Sequence, residues 1–144
     1  MSDLARLPFP ENFADVMVAV HVLEHFYEWE AADVVREWQR VLKPGGLLVL
    51  ELPSMDKIVA YLLDCVQQQD GKINMQRSWW GMYGDPRYKE PVMVHRWGYT
   101  KAMLRTLLES VGLVEIHAAP PRYHMKRRDM RMTARKEPAC QLMS

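Results

Sequence analysis

The sequence has few of the features that mark secreted, membrane or nucleic-acid-binding proteins. Its only cysteines, Cys65 and Cys140, are far apart and fit neither a disulfide framework nor a metal-binding spacing. No apolar run reaches the roughly 18 residues of a membrane span, and "MSDLARLPFP" lacks the apolar segment of a signal peptide. The net charge is only +1, which argues against nucleic-acid or membrane binding through overall charge. We therefore expect a cytoplasmic protein with neither of these partners.

The 144 residues, 49% of them hydrophobic, suit one compact domain with a hydrophobic core. The apolar run "DVMVAVHV" from Asp15 follows the loop-like "PFPENF" and predicts a buried strand. From Glu28, apolar residues recur on one helical face until "KPGG" at Lys43 ends the helix. A second buried strand, "LLVLEL", then runs from Leu47 to Leu52. This strand, helix and strand order predicts a parallel pair in an α/β fold.

The rest of the chain predicts further helices and strands on either side of an aromatic-rich segment. A helix is expected from about Ser54, with Ile58, Val59, Leu62 and Val66 on its inner face. The segment 73–99 has no clean period and predicts a long ordered loop or a flap with short elements, of the kind that often covers a site. Thr100 can cap a helix that Gly112 ends, and two strands follow, "LVEIHAA" and an alternating one around Met130. We expect one domain over residues 1–136 and a flexible tail over 137–144.

The stretch "HVLEH", His21 to His25, has two incompatible interpretations. His-x-x-Glu-His is the inverted zinc-peptidase signature, which needs both histidines on one regular helix and a distant third ligand such as Glu90 or Glu109. The same residues can instead follow the carboxyl end of the strand "DVMVAV", where open α/β sheets bind their ligands. The β-type residues before His21 favour the strand end and leave the zinc peptidase as a remote alternative.

Three motifs follow one another along the chain: "LPFPENFADVMVAVHVLEH", "EWQRVLKPGGLLVLELP" and "HRWGYTKAMLRTLLESVGLVEI". In this order they resemble the carboxyl-terminal half of class I S-adenosylmethionine-dependent methyltransferases of the small-molecule type. The resemblance implies a partial Rossmann-like sheet of about four strands with flanking helices. The sheet would be mixed, because "RDMRMTARK" would pair antiparallel between its two predecessors. The resemblance also implies S-adenosylmethionine as cofactor and a small-molecule acceptor. The family's glycine-rich loop lies upstream of the matched half, so we expect weak or no cofactor binding unless a complementing chain supplies the amino-terminal half.

The resemblance also nominates site residues. Asp3 and Leu4 match the pair that recognises the adenine, while Val20, His21 and Val22 match the strand end that faces the methionine part of the cofactor. His21 and His25 are the catalytic candidates, because an imidazole there can orient or deprotonate an acceptor hydroxyl or amine. For Glu24 we expect a structural role such as capping the next helix. No metal site is expected.

The aromatic-rich segment offers candidates for binding the acceptor. An aromatic face can stack on an aromatic acceptor or hold a cationic methyl donor. The residues nominated for this role are Trp79, Trp80, Tyr83 and His95.

The strand "DVMVAVHV" also predicts self-association. In the family its neighbour is the first strand, so here it becomes an apolar sheet edge without lysine, proline or central charge. A homodimer or larger homo-oligomer would cover this edge. Two functions remain open: a methyltransferase, or half of one completed by a partner chain, and a non-catalytic methyltransferase-like binding or assembly module. The sequence does not identify the methyl acceptor.

Overall fold

The computed structural model describes residues 6–68 and 72–139. Their elements are β1 (Ala14–Val20), α1 (Glu28–Val41), β2 (Leu42–Pro53), α2 (Met55–Gln68), α3 (Lys72–Tyr83), α4 (Lys101–Ser110), β3 (Leu113–Ala119) and β4 (Asp129–Lys136). The strands form one four-stranded sheet in the order β1-β2-β4-β3. The strands β1 and β2 are parallel, whereas β4 runs antiparallel to both of its neighbours, β2 and β3. The predicted mixed α/β sheet with flanking helices is therefore confirmed.

Helix α1 forms where the apolar period predicted it and begins at a capping box. The Glu30 carboxylate accepts a hydrogen bond from the Tyr27 amide at 2.9 Å, and the Glu30 amide donates to the Tyr27 carbonyl. The strand β2 begins directly after the helix, so "KPGG" lies inside the strand rather than before it. Gly46 is required there, because a Cβ atom would lie 2.7 Å from the Lys43 carbonyl oxygen. The sequence therefore predicted the second strand five residues too short at its start.

The core lies where α1 and α4 meet one face of the sheet. Helix α4 starts as predicted, since Thr100 Oγ1 accepts a hydrogen bond from the Met103 amide at 3.1 Å. It ends next to Gly112, whose φ of +78° is the left-handed conformation expected of a helix terminator. The fully buried members of this core include Leu48, Leu50, Leu52, Leu104, Leu108, Met130 and Met132.

The segment 73–99, predicted as a long ordered loop or a flap with short elements, is irregular only in its second part. Its first part is the regular helix α3, which packs against α2. The apolar period is missing because small residues, Ser78 and Gly81, occupy buried positions. A Cβ atom at Gly81 would lie 2.7 Å from Ile58 Cδ1, so the two helices approach closely at this point. Irregular chain with one 3₁₀ turn, Pro91–Met93, then leads to α4.

Helix α2 forms as predicted, but the predicted inner face is wrong in part. Ile58 is buried as expected, together with Cys65, whereas Val59 and Val66 are exposed. The reason is that α2 packs mainly on α3 and not on the sheet. Within residues 6–68 and 72–139, no helix is long and apolar enough to cross a membrane. Residues 137–139 have no regular structure and 140–144 lie outside the described residues, so the predicted flexible tail stays a prediction.

Candidate active site

The candidate site lies at the carboxyl ends of the parallel strands β1 and β2. Val20 pairs with Glu51, and the His21 amide donates to the Glu51 carbonyl oxygen at 2.8 Å. His21 has a φ of +52°, a left-handed conformation that is uncommon for any residue other than glycine. The strand therefore ends at Val20, and the chain turns away at His21.

This turn excludes the helical geometry of a zinc peptidase. The residues Leu23–His25 form a single 3₁₀ turn, and helix α1 starts only at Glu28. His21 and His25 consequently do not share one face of a regular helix, which that signature requires. The strand-end interpretation of "HVLEH" is the one that the backbone follows.

The His21 imidazole lies between two buried carboxylates. Its Nε2 is 2.9 Å from Asp129 Oδ2, and its Nδ1 is 2.9 Å from Glu24 Oε1. Burial lowers the pKa of His21, but the hydrogen bond to Asp129 and the nearby charges of Glu24 and Asp129 outweigh burial and raise the pKa to about 9. At neutral pH the ring is therefore an imidazolium.

The carboxylate of Asp129 is the centre of a dense hydrogen-bond network. It accepts hydrogen bonds from Arg128 Nε at 2.8 Å, from the Met125 amide at 3.2 Å and from His21. Burial raises the pKa of Asp129, but the hydrogen bonds from His21 and Arg128 outweigh it and lower the pKa to about 2. His124 Nδ1 lies 3.1 Å from the same carboxylate. Asp129 thus ties the start of β4 to the end of β1.

Glu51, near the carboxyl end of β2, fixes the loop between β3 and β4. Its two carboxylate oxygens accept hydrogen bonds from the backbone amides of Arg122, Tyr123 and His124, each at 2.8 to 2.9 Å. Burial raises the pKa of Glu51, but these amides and the Arg131 guanidinium outweigh it, so the pKa lies below its usual value. The side chain is fully buried, and it holds His124 against the site.

His95 reaches the site from the irregular chain before α4. Its Nδ1 is 2.9 Å from the Gly81 carbonyl oxygen, which can only accept, so Nδ1 carries the proton in the neutral ring. Nε2 lies 4.0 Å from Glu24 Oε1. Burial lowers the pKa of His95, which makes the ring neutral at pH 7 and leaves a lone pair on Nε2.

This chain segment is docked onto the turn that follows β1. The backbone amides of Arg96 and Trp97 both donate to the Glu24 carbonyl oxygen, at 2.7 and 3.2 Å. The rings of His25 and His95 meet edge to face with 4.9 Å between their centroids. Together with the contacts of Gly81 and Asp129, these contacts bring α3, the start of β4, the turn after β1 and the irregular segment to one place.

A cavity of about 390 Å³ opens at this point. Three arginines, Arg77, Arg87 and Arg128, lie on its wall. Arg87 pairs with Asp85 and stacks over Trp80, whereas Arg77 has no acidic partner among residues 6–68 and 72–139. The remaining lining residues are His21, His25, Trp80, Asp85, Tyr88, Met93, His95, His124 and Met125. The positive charges of the arginines and of His21 make the cavity suited to an anionic group.

The structure brings together four of the residues that the sequence nominated: His21, His25, Trp80 and His95. Trp79 and Tyr83 stack on each other and line an adjoining depression instead. Val20 and Val22 are half-buried beside His21. Asp3 and Leu4 lie outside the described residues, so their predicted contact with adenine stays a prediction.

Sequence reasoning missed several residues of the site. Asp129, His124, Arg128 and Arg77 were not nominated, and Glu24 was expected only to cap a helix. Asp129 is the first residue of the closing strand, and that position is the one signal that could have revealed it. The other residues lie in segments without any recognisable pattern.

Comparison with known proteins matches the amino-terminal part of the chain to one family and most of the chain to one fold. Residues 1–50 match the sequence family described as "Methyltransferase domain". A probable S-adenosylmethionine-dependent methyltransferase of Mycolicibacterium smegmatis is 42% identical over 52 residues, which are 36% of this chain and 20% of that protein. The aligned region thus spans about a fifth of that relative.

The solved structures cover nearly the whole chain at low identity. A SAM-dependent methyltransferase from Methanosarcina mazei superposes with a TM-score of 0.60 at 19% identity, over 94% of this chain and 65% of that one. Human N-acetylserotonin methyltransferase, solved in complex with SAM, gives a TM-score of 0.59 at 18% identity, over 94% of this chain and 32% of that one. At this level of identity the likeness is one of fold.

Proposed function

We propose that this chain forms the acceptor side of a small-molecule methyltransferase site. By sequence and fold it belongs to the class I S-adenosylmethionine-dependent methyltransferases, as its motifs predicted. The observation that carries the proposal is the cavity at the carboxyl ends of β1 and β2, the edge at which α/β sheets of this kind bind ligands. His21 and His25, the catalytic candidates from the sequence, both line it.

The described residues fit one wall of a cofactor site. Val20 and Val22 flank His21 where β1 ends, and both are half-buried. S-adenosylmethionine, when bound, supplies an electrophilic methyl group. Within residues 6–68 and 72–139 no glycine follows the carboxyl end of a strand, as a phosphate- or nucleotide-binding turn would require. We propose that a complementing chain or segment, beside the open edge of β1, provides the rest of the cofactor site.

The histidines suggest how this chain handles the acceptor. His25 Nδ1 lies 3.3 Å from the Val94 carbonyl oxygen, which can only accept, so Nδ1 is the donor of this contact and Nε2 is the nitrogen left for the acceptor. We assign His25 as the group that would take the proton from the acceptor oxygen or nitrogen as that atom is methylated. His21 is held between two carboxylates and acts as a fixed positive charge. Positioning supplies most of the rate in such a transfer.

The charges of the cavity favour an acceptor that bears a carboxylate or phosphate. Arg77 forms no ion pair with an acid among the described residues, and Arg128, which pairs with Asp129, lies on the same wall. An arginine binds such groups through paired hydrogen bonds. Trp80, which carries Arg87 over its ring, provides an apolar face for the body of the acceptor.

We also propose that β1 pairs with a second copy of the chain or with the complementing chain. It is an edge strand of the described sheet, and its outer face exposes Val16 and Val18 to 55% and 47%. An apolar edge of this kind is a template for pairing with another strand. We place the assembly in the cytoplasm, where the buried Cys65 stays a thiol.

Calorimetric titration of the purified chain with S-adenosylmethionine tests the proposal. We expect weak, saturable binding, with a Kd on the order of 1 mM, and weaker binding for Val20→Lys, which puts a charge beside His21. Val59→Lys, an exposed site on α2, is the matched control and should bind like the wild type. Folded protein that shows no binding at millimolar cofactor would favour the alternative function, a non-catalytic binding or assembly module.

A further inference from the structure

We propose that His21 Nδ1, Glu24 Oε1 and His95 Nε2 form a site for one divalent transition-metal ion on the wall of the cavity. The three side chains come from the end of β1, from the 3₁₀ turn after it and from the irregular segment before α4. The sequence predicted no metal here, and the ligand set differs from that of the zinc peptidase. The inference does not depend on methyl transfer.

The strongest indication is the Glu24 carboxylate. Its side chain is only 2% exposed, and neither oxygen has a partner with hydrogen-bond geometry among residues 6–68 and 72–139. His21 Nδ1 approaches Oε1 to 2.9 Å, but this contact lacks the angle of a hydrogen bond. The His21 imidazolium offsets part of the charge of this buried carboxylate, but Oε2 has no hydrogen bond among the described residues, and a divalent cation would offset the carboxylate more fully.

The spacing of the three ligand atoms suits one ion. All three lie within 4.8 Å of one another, and the two distances to Glu24 Oε1 are 2.9 and 4.0 Å. Zinc with ligands at about 2.0 to 2.2 Å in a tetrahedron needs about 3.4 Å between ligand atoms. The observed distances lie on both sides of this value, so small rotations of the side chains complete the geometry.

The second nitrogen of each imidazole is already held as metal sites require. His21 Nε2 lies 2.9 Å from Asp129 Oδ2, and His95 Nδ1 lies 2.9 Å from the Gly81 carbonyl oxygen. In known metal sites the outer nitrogen of a ligand histidine donates to a carboxylate or a backbone carbonyl, which orients the ring. Binding through His21 Nδ1 displaces the proton that this nitrogen carries in the metal-free protein.

A second combination, His21, His124 and Asp129, has similar spacing but is less suited to a metal. Asp129 already accepts hydrogen bonds from Arg128, from the Met125 amide and from His21. The arginine beside it also repels a cation. The set with Glu24 therefore binds the ion, and two imidazoles with one carboxylate are the ligands of many zinc sites with an open position.

Zinc titration of protein treated with a chelator tests the site. We expect one Zn²⁺ per chain by calorimetry and by elemental analysis, and a visible absorption spectrum when Co²⁺ is bound instead. The first variant is His95→Asn, whose amide keeps a donor near the Gly81 carbonyl but removes the ligand nitrogen. Its zinc affinity should fall at least about 100-fold, more than the typical effect of losing an outer partner.

Two further variants assign the ligands. Glu24→Gln should lose zinc to a similar extent, and His95→Asn covers the case in which Glu24→Gln fails to fold. His124→Ala separates the two combinations, because His124 lines the same cavity but belongs to the other one. Its ring contacts His21 and shares Asp129 with it, so its zinc affinity should fall, but much less than that of His95→Asn. The proposal is overturned if the wild type does not bind zinc at a concentration on the order of 100 µM, at which even a site of low affinity would be partly occupied. It is equally overturned if folded His95→Asn binds like the wild type, or if His124→Ala loses zinc while His95→Asn keeps it.

Discussion

Replacing Glu51 by glutamine is the sharpest test of how the fold builds the site. Glu51 is fully buried, and its carboxylate accepts hydrogen bonds from the amides of Arg122, Tyr123 and His124. Arg131 Nη1 adds a contact at 3.4 Å. Glutamine has the same shape, but one of its two terminal groups is an amide NH2, which donates and cannot accept a hydrogen bond.

The expected loss follows from these contacts. In its best orientation the glutamine side chain keeps the hydrogen bonds of its oxygen with the Tyr123 and His124 amides. Its NH2 group then faces the Arg122 amide and the Arg131 guanidinium. One charge-assisted hydrogen bond is lost, at about 1.5 to 3 kcal/mol, and the two retained bonds become weaker neutral ones. We expect the free energy of unfolding to fall by about 3 kcal/mol.

Urea denaturation followed by tryptophan fluorescence measures this loss. With a slope of about 1 to 3 kcal/mol per molar urea, the midpoint should fall by about 1 to 3 M. Glu109→Gln is the matched control, because Glu109 is exposed and its pair with Arg105 spans 3.8 Å, so its effect should stay below about 0.5 kcal/mol. An unchanged midpoint for Glu51→Gln would refute the anchoring role.

The pH dependence provides a second check on Glu51. Its pKa in the folded protein lies below the ordinary 4.5. A lowered folded pKa contributes stability above the unfolded pKa, and this stability is lost as the pH falls through the folded pKa. The stability difference between wild type and Glu51→Gln should therefore be largest above pH 4.5 and shrink below it. A difference that stays constant into acid would contradict the assignment.

Three further predictions concern the helix cap, the loop and the sheet edge. Thr100→Ala should lower the free energy of unfolding by about 1 kcal/mol, whereas Thr106→Ala, inside the same helix, should not destabilise it. Gly84→Ala should open the cavity segment to proteolysis, because its Cβ would clash with the Met93 carbonyl oxygen; Gly45→Ala, whose φ is also positive but whose Cβ would meet open space, is the control. Val18→Lys should shift the proposed oligomer toward monomer in light scattering, and an unchanged mass would rule out pairing through β1.

The elements that the sequence predicted well are those with a strong local signal. Helix α1 has its apolar residues on one face, and β3 lies between a glycine and a proline-rich loop. The order of the strands in the sheet could not be predicted in this way, because no local feature of β4 dictates its insertion between β2 and β3. That order came from the resemblance to a family, and the structure confirms it.

Helix α3 shows where local pattern fails. A helix that packs on a neighbouring helix through small residues has no apolar stripe, and here Ser78 and Gly81 take the buried positions. Because Trp79 is exposed on this helix, its position in the sequence indicates a loop and not a helix. The close approach of Gly81 to Ile58 is a tertiary contact that could not be inferred from the sequence of either helix.

The site itself depends on a register that local sequence does not encode. Because β4 runs antiparallel to β2, its first residue pairs with the last residue of β2, and Asp129 lies opposite Pro53. The amino end of β4 therefore meets the carboxyl ends of β1 and β2, although Asp129 is 108 residues from His21. Once the closing strand is known to insert there, a charged residue at its start is expected to face the ligand edge. The pairing of His21 with Asp129 follows from topology, and Glu24 and His95 are added only by the docking of the irregular segment on the turn after β1.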